Sequence, residues 1–218
     1  MRAWLVTVGE PLPIDRADRL YRVGMLGDFL LARGHEVTWW TSTFDHVRKR
    51  HRFDRDTTIE VREGYHIKLL HSLGYWKNVS LRRIFDHRGI ARRFSRQAPL
   101  EPRPDVILCS LPTIELSLAA TRYGKQAGVP VIIDVRDQWP DLFLELVPPW
   151  ARRGARFLLT PLFREARAAF AGATAIIGVT QAFVEWGLRY AGRPRTNLDR
   201  DFPFGYSTTP PSSDAIAS

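Results

Sequence analysis

The densest chemistry in the chain lies at Asp134-Val135-Arg136-Asp137-Gln138-Trp139-Pro140-Asp141, where three carboxylates and one guanidinium fall within eight residues. This run follows the apolar, β-branched segment Val129-Pro130-Val131-Ile132-Ile133, so it stands at the carboxyl end of a strand. Charges at such a place are costly to bury unless they pair or bind something. Two readings stay open. In one, Arg136 forms a structural ion pair with an aspartate. In the other, Arg136 holds an anionic or hydroxyl-rich ligand while Asp137 accepts hydrogen bonds. Arg136 and Asp137 are therefore the candidate catalytic residues, with Asp134 a candidate ligand-binding residue beside them.

A second candidate follows the first apolar run: Gly9-Glu10-Pro11-Leu12-Pro13-Ile14-Asp15-Arg16-Ala17-Asp18-Arg19. Gly9 permits close backbone approach, and Arg16 and Arg19 fall near a helix start, where free N–H groups also favour anions. Gly9, Glu10, Arg16 and Arg19 are candidate acceptor- or donor-binding residues, although a proline-stiffened surface loop would look the same. The spacing is not G-x-G-x-x-G, so no dinucleotide fingerprint is present. Ser110, in Ser110-Leu111-Pro112-Thr113, is a weaker binding candidate that could equally cap the next helix. Cys109 has no histidine near it in sequence and reads as an inert buried thiol. The six histidines, His35, His46, His51, His66, His71 and His87, show no metal-ligand spacing. Neither a metal nor any other cofactor is expected, and a P-loop is absent.

The charge is uneven. Lys and Arg number 32 against 23 Asp and Glu, a net charge of +9. It concentrates between Asp45 and Arg55, from Lys77 to Gln97, and from Arg152 to Arg167. Three such clusters predict an anionic partner. A hydrophobic content of 44% excludes wholesale disorder, and a single cysteine excludes an intramolecular disulfide framework. There is no run of about 18 apolar residues, so any membrane contact is expected to lie on the surface.

The elements that must position these residues alternate. Ala3 to Val8 reads as a strand, and Leu20, Val23, Met25, Leu26, Phe29, Leu30 and Leu31 form a helical stripe closed by Gly34. Strand 36–41 follows, then a hairpin with arms at 58–62 and 66–70, then a helix from the cap Ser80 to about Gln97. Strands at 105–109, 129–134 and 175–179 are separated by helices ending near Ala127 and Ala171, the latter starting near Arg153. A last helix runs from Gln181 to Tyr190. This alternation predicts an α/β fold with a doubly wound, mostly parallel sheet over residues 1–192. Residues 193–218, rich in Pro and Ser, read as a linker remnant and disordered tail, with the sheet already ended.

Three segments in order carry a family resemblance. Gly9-Glu10-Pro11, then Arg19-Leu20-Tyr21-Arg22, then Leu31-Ala32-Arg33-Gly34-His35-Glu36-Val37-Thr38 resembles the opening of family-4, GT-B glycosyltransferases. Val131 to Asp141 is similar to the D-V-R-D-x-W-P segment of a bacterial subgroup that builds surface polysaccharides. Phe202-Pro203-Phe204-Gly205-Tyr206 resembles the interdomain linker, so the likeness spans about residues 1 to 206. It implies a Rossmann-like, acceptor-side N-terminal domain of a retaining enzyme. The nucleotide-sugar donor would be held mainly by a second domain carrying a paired-glutamate motif, and this chain alone would not turn over. Two positions depart from the family: Asp15-Arg16-Ala17-Asp18 replaces a glycine pair, and Arg136-Asp137 stands where some relatives carry a histidine.

Acceptors in such pathways are often polyprenyl-diphosphate lipids on the inner face of the membrane. The resemblance thus gives the basic clusters a partner, with Arg82, Arg83, Arg92, Arg93, Arg152 and Arg153 as membrane or anion contacts. Each would contribute about 1 kcal/mol near an anionic surface. The segment Trp150 to Phe170 places Phe157, Leu158, Leu162, Phe163, Ala166 and Phe170 on one side, as an interfacial helix or a core-facing one would. The expected location is cytoplasmic and peripheral to the plasma membrane. The rival readings are a non-enzymatic lipid- or polysaccharide-binding module and the acceptor half of a split glycosyltransferase. Nucleic acid is not expected as a partner, because no recognition signature is present.

Overall fold

The computed structural model describes residues 1–15, 19–78 and 80–205. In chain order the strands are β1 (Arg2–Val6), β2 (Glu36–Ser42), β3 (Phe44–Asp45), β4 (Arg50–His51), β5 (Thr57–Arg62), β6 (Tyr65–Leu70), β7 (Val106–Leu111), β8 (Val131–Val135), β9 (Ala175–Gly178) and β10 (Arg200–Asp201). Eight of them form one sheet in the order β10-β9-β8-β7-β1-β2-β6-β5, while β3 and β4 make a separate antiparallel ribbon. Seven strands of the sheet run parallel, and only β5 is antiparallel to its neighbour. The sequence accounts for the difference. Runs such as Val106 to Leu111 are apolar on both faces and are buried on both. Thr57–Arg62 alternates half-buried with exposed residues, the pattern of an edge strand with one wet face.

The helices are α1 (Arg22–Leu31), α2 (Leu81–Gln97), α3 (Ile114–Ala127), α4 (Asp141–Glu145), α5 (Arg152–Leu158), α6 (Thr160–Ala171) and α7 (Gln181–Ala191). Successive strand residues point to opposite faces, so each strand feeds two cores. Leu5, Val37, Trp39 and Leu108 pack with Val23 of α1. Trp4, Val6, Trp40 and Cys109 pack with α2 and α3, and Ile133, Val135 and Ile176 with α6 and α7. Helices therefore cover both faces, and the sheet is doubly wound and Rossmann-like. Trp4 anchors one core, stacked on Tyr123 at 5.1 Å and edge-on to Trp40 at 5.2 Å. On the other face α1 approaches closely because Gly27 lacks a side chain: a Cβ there would lie 2.5 Å from the Tyr65 hydroxyl.

Several expectations hold in detail. Ser80 caps α2, its hydroxyl accepting from the Arg83 amide at 3.3 Å, and the hairpin β5–β6 lies where the alternation placed it. Two are corrected. The helix expected from Arg153 to Ala171 is two helices that meet at Leu159, because Pro161 has no amide to donate and sits in the first turn of a new helix. The apolar stripe is divided accordingly: Leu162, Phe163, Ala166 and Phe170 of α6 are buried, whereas Phe157 and Leu158 of α5 are 79% and 78% exposed.

The second correction concerns the end of the sheet, which does not lie before residue 193. β10 adds to β9, and the Phe202 amide donates to the Gly178 carbonyl at 2.8 Å. No apolar run announces this strand. It is held instead by Asp199, whose buried carboxylate accepts from the Ile176 amide at 2.8 Å, the Thr196 amide at 2.7 Å, and both terminal nitrogens of Arg193.

Candidate functional site

The parallel strands deliver their carboxyl ends to one edge, where the loops after β1, β2, β6, β7 and β8 converge. Beneath that edge lies a buried ion network. Asp134, fully buried, accepts from Arg136 Nε at 2.8 Å and faces Arg22 Nε at 2.9 Å. Arg136 Nη1 pairs with Glu10, which also accepts from the Val23 amide at 3.0 Å. Two carboxylates thus balance two guanidiniums and tie together β8, the first loop and the start of α1. Arg22 extends the tie by donating to the Phe202 carbonyl beyond β10. Burial opposes the charge on Arg136, but Glu10 and Asp134 outweigh it and hold the guanidinium above its ordinary pKa. Of the two readings of the Asp134–Asp141 run, the structural ion pair describes Arg136 and Asp134. One nitrogen of Arg136, Nη2, and one oxygen of Asp134, Oδ1, are buried without a partner among the described residues.

Asp137 differs from both. It is half-buried, one oxygen accepts from the adjacent Gln138 amide at 2.8 Å, and its charge acts on Arg83 across the cleft. Arg83 was expected on the surface, but it belongs to the site. Its guanidinium lies 4.3 Å above the Trp139 ring and 5.2 Å from that of Tyr75, and it donates to the Asn78 carbonyl at 2.8 Å. Burial pulls its pKa below the ordinary arginine value. Arg82 is also held by the protein, donating to the carbonyls of Gly74 and Leu73 at 2.8 and 3.0 Å, and Arg93 pairs with Asp56 at 2.9 Å. Arg92, Arg152 and Arg153 are exposed.

Around Asp137 and Arg83 stand residues that no sequence motif singled out. His46 Nδ1 and the Tyr75 hydroxyl are 2.7 Å apart, and the Lys49 ammonium lies 4.7 Å over the Tyr75 ring. Burial, then Lys49 and Arg83, push His46 down to about 4, and burial pushes Tyr75 up to about 12, so both are neutral near pH 7. Lys49 takes a left-handed φ of 53°, a cost the ribbon turn imposes to bring its ammonium here. Below them His87, pushed down to about 3 by burial, sits 3.8 Å from Glu115, which burial pushes up to about 7. Near pH 7 His87 is therefore neutral while Glu115 is about half protonated, so the two are not an ion pair. The only available signal for these residues was their position just after β2 and β6; a histidine and a tyrosine 29 residues apart in the chain carry no pattern.

The first loop opens two adjoining cavities. One of about 220 Å³ is lined by Gly9, Glu10, Arg19 and His46, and one of about 390 Å³ by Glu10, Arg19, Tyr21, Arg136 and Phe204. Gly9 has φ +86°, which suits glycine alone, and a Cβ there would meet His46 at 3.8 Å. Arg19 is exposed at the mouth of both cavities, and Arg16 lies outside the described residues. Ser110 neither caps a helix nor reaches a cavity. It is 2% exposed within β7, its hydroxyl unpartnered among the described residues. Among the described residues no group of three or more His, Cys, Asp or Glu is placed to hold a metal ion. The crevice can therefore bind by hydrogen bonds from neutral His46 and Tyr75 and by charge from Arg19 and Lys49, a set suited to a hydroxyl-rich, anionic ligand.

A search of curated proteins finds no match. Among solved structures, Arabidopsis thaliana UGT89C1 complexed with UDP is similar at 14% identity and a TM-score of 0.49, covering 100% of this chain. The chain spans 54% of that structure's length. The profile described as "Glycosyl transferase 4-like domain" matches residues 21–199, which include α1, the whole of β2 to β9 and every loop of the crevice after the first. With that match over most of its length, the chain belongs to the family of glycosyl transferase 4-like domains.

Proposed function

We propose that this chain is the acceptor-side domain of a retaining glycosyltransferase that moves a sugar from a nucleotide-sugar to a lipid-linked glycan in bacterial surface-polysaccharide synthesis. The observation that carries the reading is the convergence of Asp137, Arg83, His46 and Tyr75 at the carboxyl edge of the sheet, beside cavities opened by Gly9 and Glu10. Asp137 and the His46–Tyr75 pair orient acceptor hydroxyls, and Arg83 and Arg19 hold acceptor phosphate. The donor is held mainly by a second domain. It works on the cytoplasmic face of the membrane, reached through Arg92, Arg152 and Arg153 and the exposed aromatic residues Trp150 and Phe157.

A second reading, a non-catalytic lipid- or polysaccharide-binding module, is favoured by one observation: Arg136 and Asp134 of the motif are locked in a buried network rather than offered to a ligand. Assaying labelled nucleotide-sugars with membrane lipid extract separates the two. Sugar transfer to lipid, present only when a donor-binding domain of the same family is supplied with this chain and lost in Asp137→Asn, supports the enzyme. Acceptor binding without transfer under any pairing supports the module.

A further inference from the structure

α2 and α3 pack side by side and run parallel, because each follows a parallel strand of the same sheet. Past Arg83 and His87 they enclose a cleft of about 520 Å³ that shares no residue with the two cavities of the crevice. Its floor is apolar and mostly small, made by Ala91, Leu118 and Ala119. The rim is basic. Arg88, Arg92 and Arg96 stand at i, i+4 and i+8 on α2, one above the other over about 12 Å, and Arg122 adds a fourth cation from α3. Arg92, Arg96 and Arg122 are exposed and have neither an ion pair nor a hydrogen bond among the described residues. A lone solvated cation is ordinary, but four around one cleft repel one another until something neutralises them. One end of the cleft is acidic. Arg88 lies 3.8 Å from Glu165, whose Oε2 is buried without a hydrogen-bond partner among the described residues. Such an acceptor is costly unless a donor is brought to it.

We propose that the cleft between α2 and α3 is a docking site for an acidic amphipathic helix of a partner protein, seated as a third helix parallel to both. Charge complementarity selects this occupant. Glutamates at i, i+4 and i+8 on the incoming helix repeat the spacing of Arg88, Arg92 and Arg96, while Arg122 holds the other rim. The floor of Ala91 and Ala119 admits the helix to the ordinary interaxial distance of about 8–10 Å, and Leu118 meets its apolar face. Direction follows from Glu165. Free N–H groups at the start of the incoming helix satisfy its unpartnered oxygen, and the helix then ends over Arg96 and Arg122, where its carbonyls favour cations. This chain does not supply such a helix itself. Its net charge is +9, and among the described residues none of its helices longer than five residues carries net negative charge. The residues outside the described ones contain two carboxylate side chains, Asp18 and Asp214, too few to match the rim. The occupant is therefore a different protein rather than a second copy or a segment of this one.

Fluorescence anisotropy on the full chain tests this with labelled peptides. The probe is an alanine-rich helical peptide of about 18 residues with glutamates at i, i+4 and i+8 on one face, and the control has the same composition with its glutamates spread around the helix. The one-faced peptide should bind the wild-type chain roughly tenfold tighter than the control, and Arg96→Glu/Arg122→Glu should abolish that preference. The same peptide with lysine in place of each glutamate should bind the double variant and not the wild type. Equal binding of the two acidic peptides, a preference that survives in the variant, or failure of the lysine peptide on a variant whose circular dichroism matches wild type overturns the proposal. Tighter binding of polyuridylate or of phosphatidylglycerol vesicles than of the one-faced peptide, lost in the same variant, would assign the cleft to a nucleic acid or a membrane and also overturn it. The variant keeps Arg92, Arg152 and Arg153, so the membrane contact proposed above is read separately.

Discussion

The Tyr75 hydroxyl donates to His46 Nδ1 across 2.7 Å, which fixes the histidine proton on Nε2. The direction follows from the neighbours. Tyr75 is pushed up to about 12 and keeps its proton, and the Lys49 ammonium, 3.5 Å from the same nitrogen, can only donate. We expect nitrogen-detected NMR to find His46 as the Nε2–H tautomer, titrating near 4. Lys49→Met should raise that value without restoring it, because burial is the larger cause. A midpoint at the ordinary histidine value would refute this geometry.

Stability should fall as the solution is acidified. His46 and His87 have folded-state values near 4 and 3, below the unfolded value of 6.5, so the unfolded chain takes up protons first as pH drops below 6.5. Glu115, raised to about 7 from 4.5, acts oppositely, contributing stability below 4.5 that is lost as pH rises toward 7. Between 4.5 and 6.5 two histidines oppose one glutamate. The net slope there is about 1.4 kcal/mol lost per pH unit of acidification. Urea unfolding at stepped pH measures it. His87→Phe should flatten the slope, and an unchanged slope would show that His87 protonates freely.

Arg136 and Asp137 should separate cleanly under mutation despite being adjacent. Arg136→Met leaves Glu10 and fully buried Asp134 short of a counter-charge and should destabilise the chain by about 3 to 5 kcal/mol. Asp137→Asn keeps an oxygen to accept from the Gln138 amide, removes only the charge of a half-buried group, and should cost about 1 kcal/mol or less while weakening acceptor binding. Denaturant midpoints together with ligand titration decide the matter. Equal destabilisation by the two substitutions would mean that Asp137 is structural as well.

Asp199 holds β10 in place, so Asp199→Asn should release the segment that carries Phe202. Burial alone would raise this carboxyl, but Arg193 and the amides of Thr196 and Ile176 hold it well below the usual carboxylate range. The expected loss is about 2 to 3 kcal/mol, roughly that of charge-assisted hydrogen bonds. Hydrogen exchange should accelerate at the Phe202 amide, which bonds to Gly178, before it does at Leu108 in the sheet centre. Protection at Phe202 equal to wild type would show that other contacts keep β10.

Membrane attachment should depend on the exposed cations and not on those the fold has taken. Arg152→Glu/Arg153→Glu should weaken co-sedimentation with anionic vesicles by more than tenfold, given about 1 kcal/mol for each cation removed and further repulsion from each new carboxylate. Arg93→Gln, which loses a pair with Asp56, should change it little. Undiminished sedimentation of the double glutamate variant would remove the membrane from the proposed function.

The order and type of nearly every element were determined by the sequence itself, since an apolar run buried on both faces or a stripe at helical spacing is a local property. Ser80 capping α2 and the alternation of Thr57–Arg62 on the wet edge needed no partner to be read. β10 escaped because its stability comes from Asp199 reaching back to Ile176, 23 residues away, and not from its own side chains. The site was legible only in its loops. The run Asp134 to Asp141 was visibly dense in charge, yet whether Arg136 served a ligand or Glu10, 126 residues away, depended on β8 and β1 ending at the same edge. Likewise Arg83 reads as one of six arginines on a basic helix until the crossover from β6 past β2 and β1 to β7 sets α2 against Trp139. Burial and pairing are properties of the folded neighbourhood, and those two quantities divided the chain's arginines into the ones that hold the fold and the ones that stay exposed.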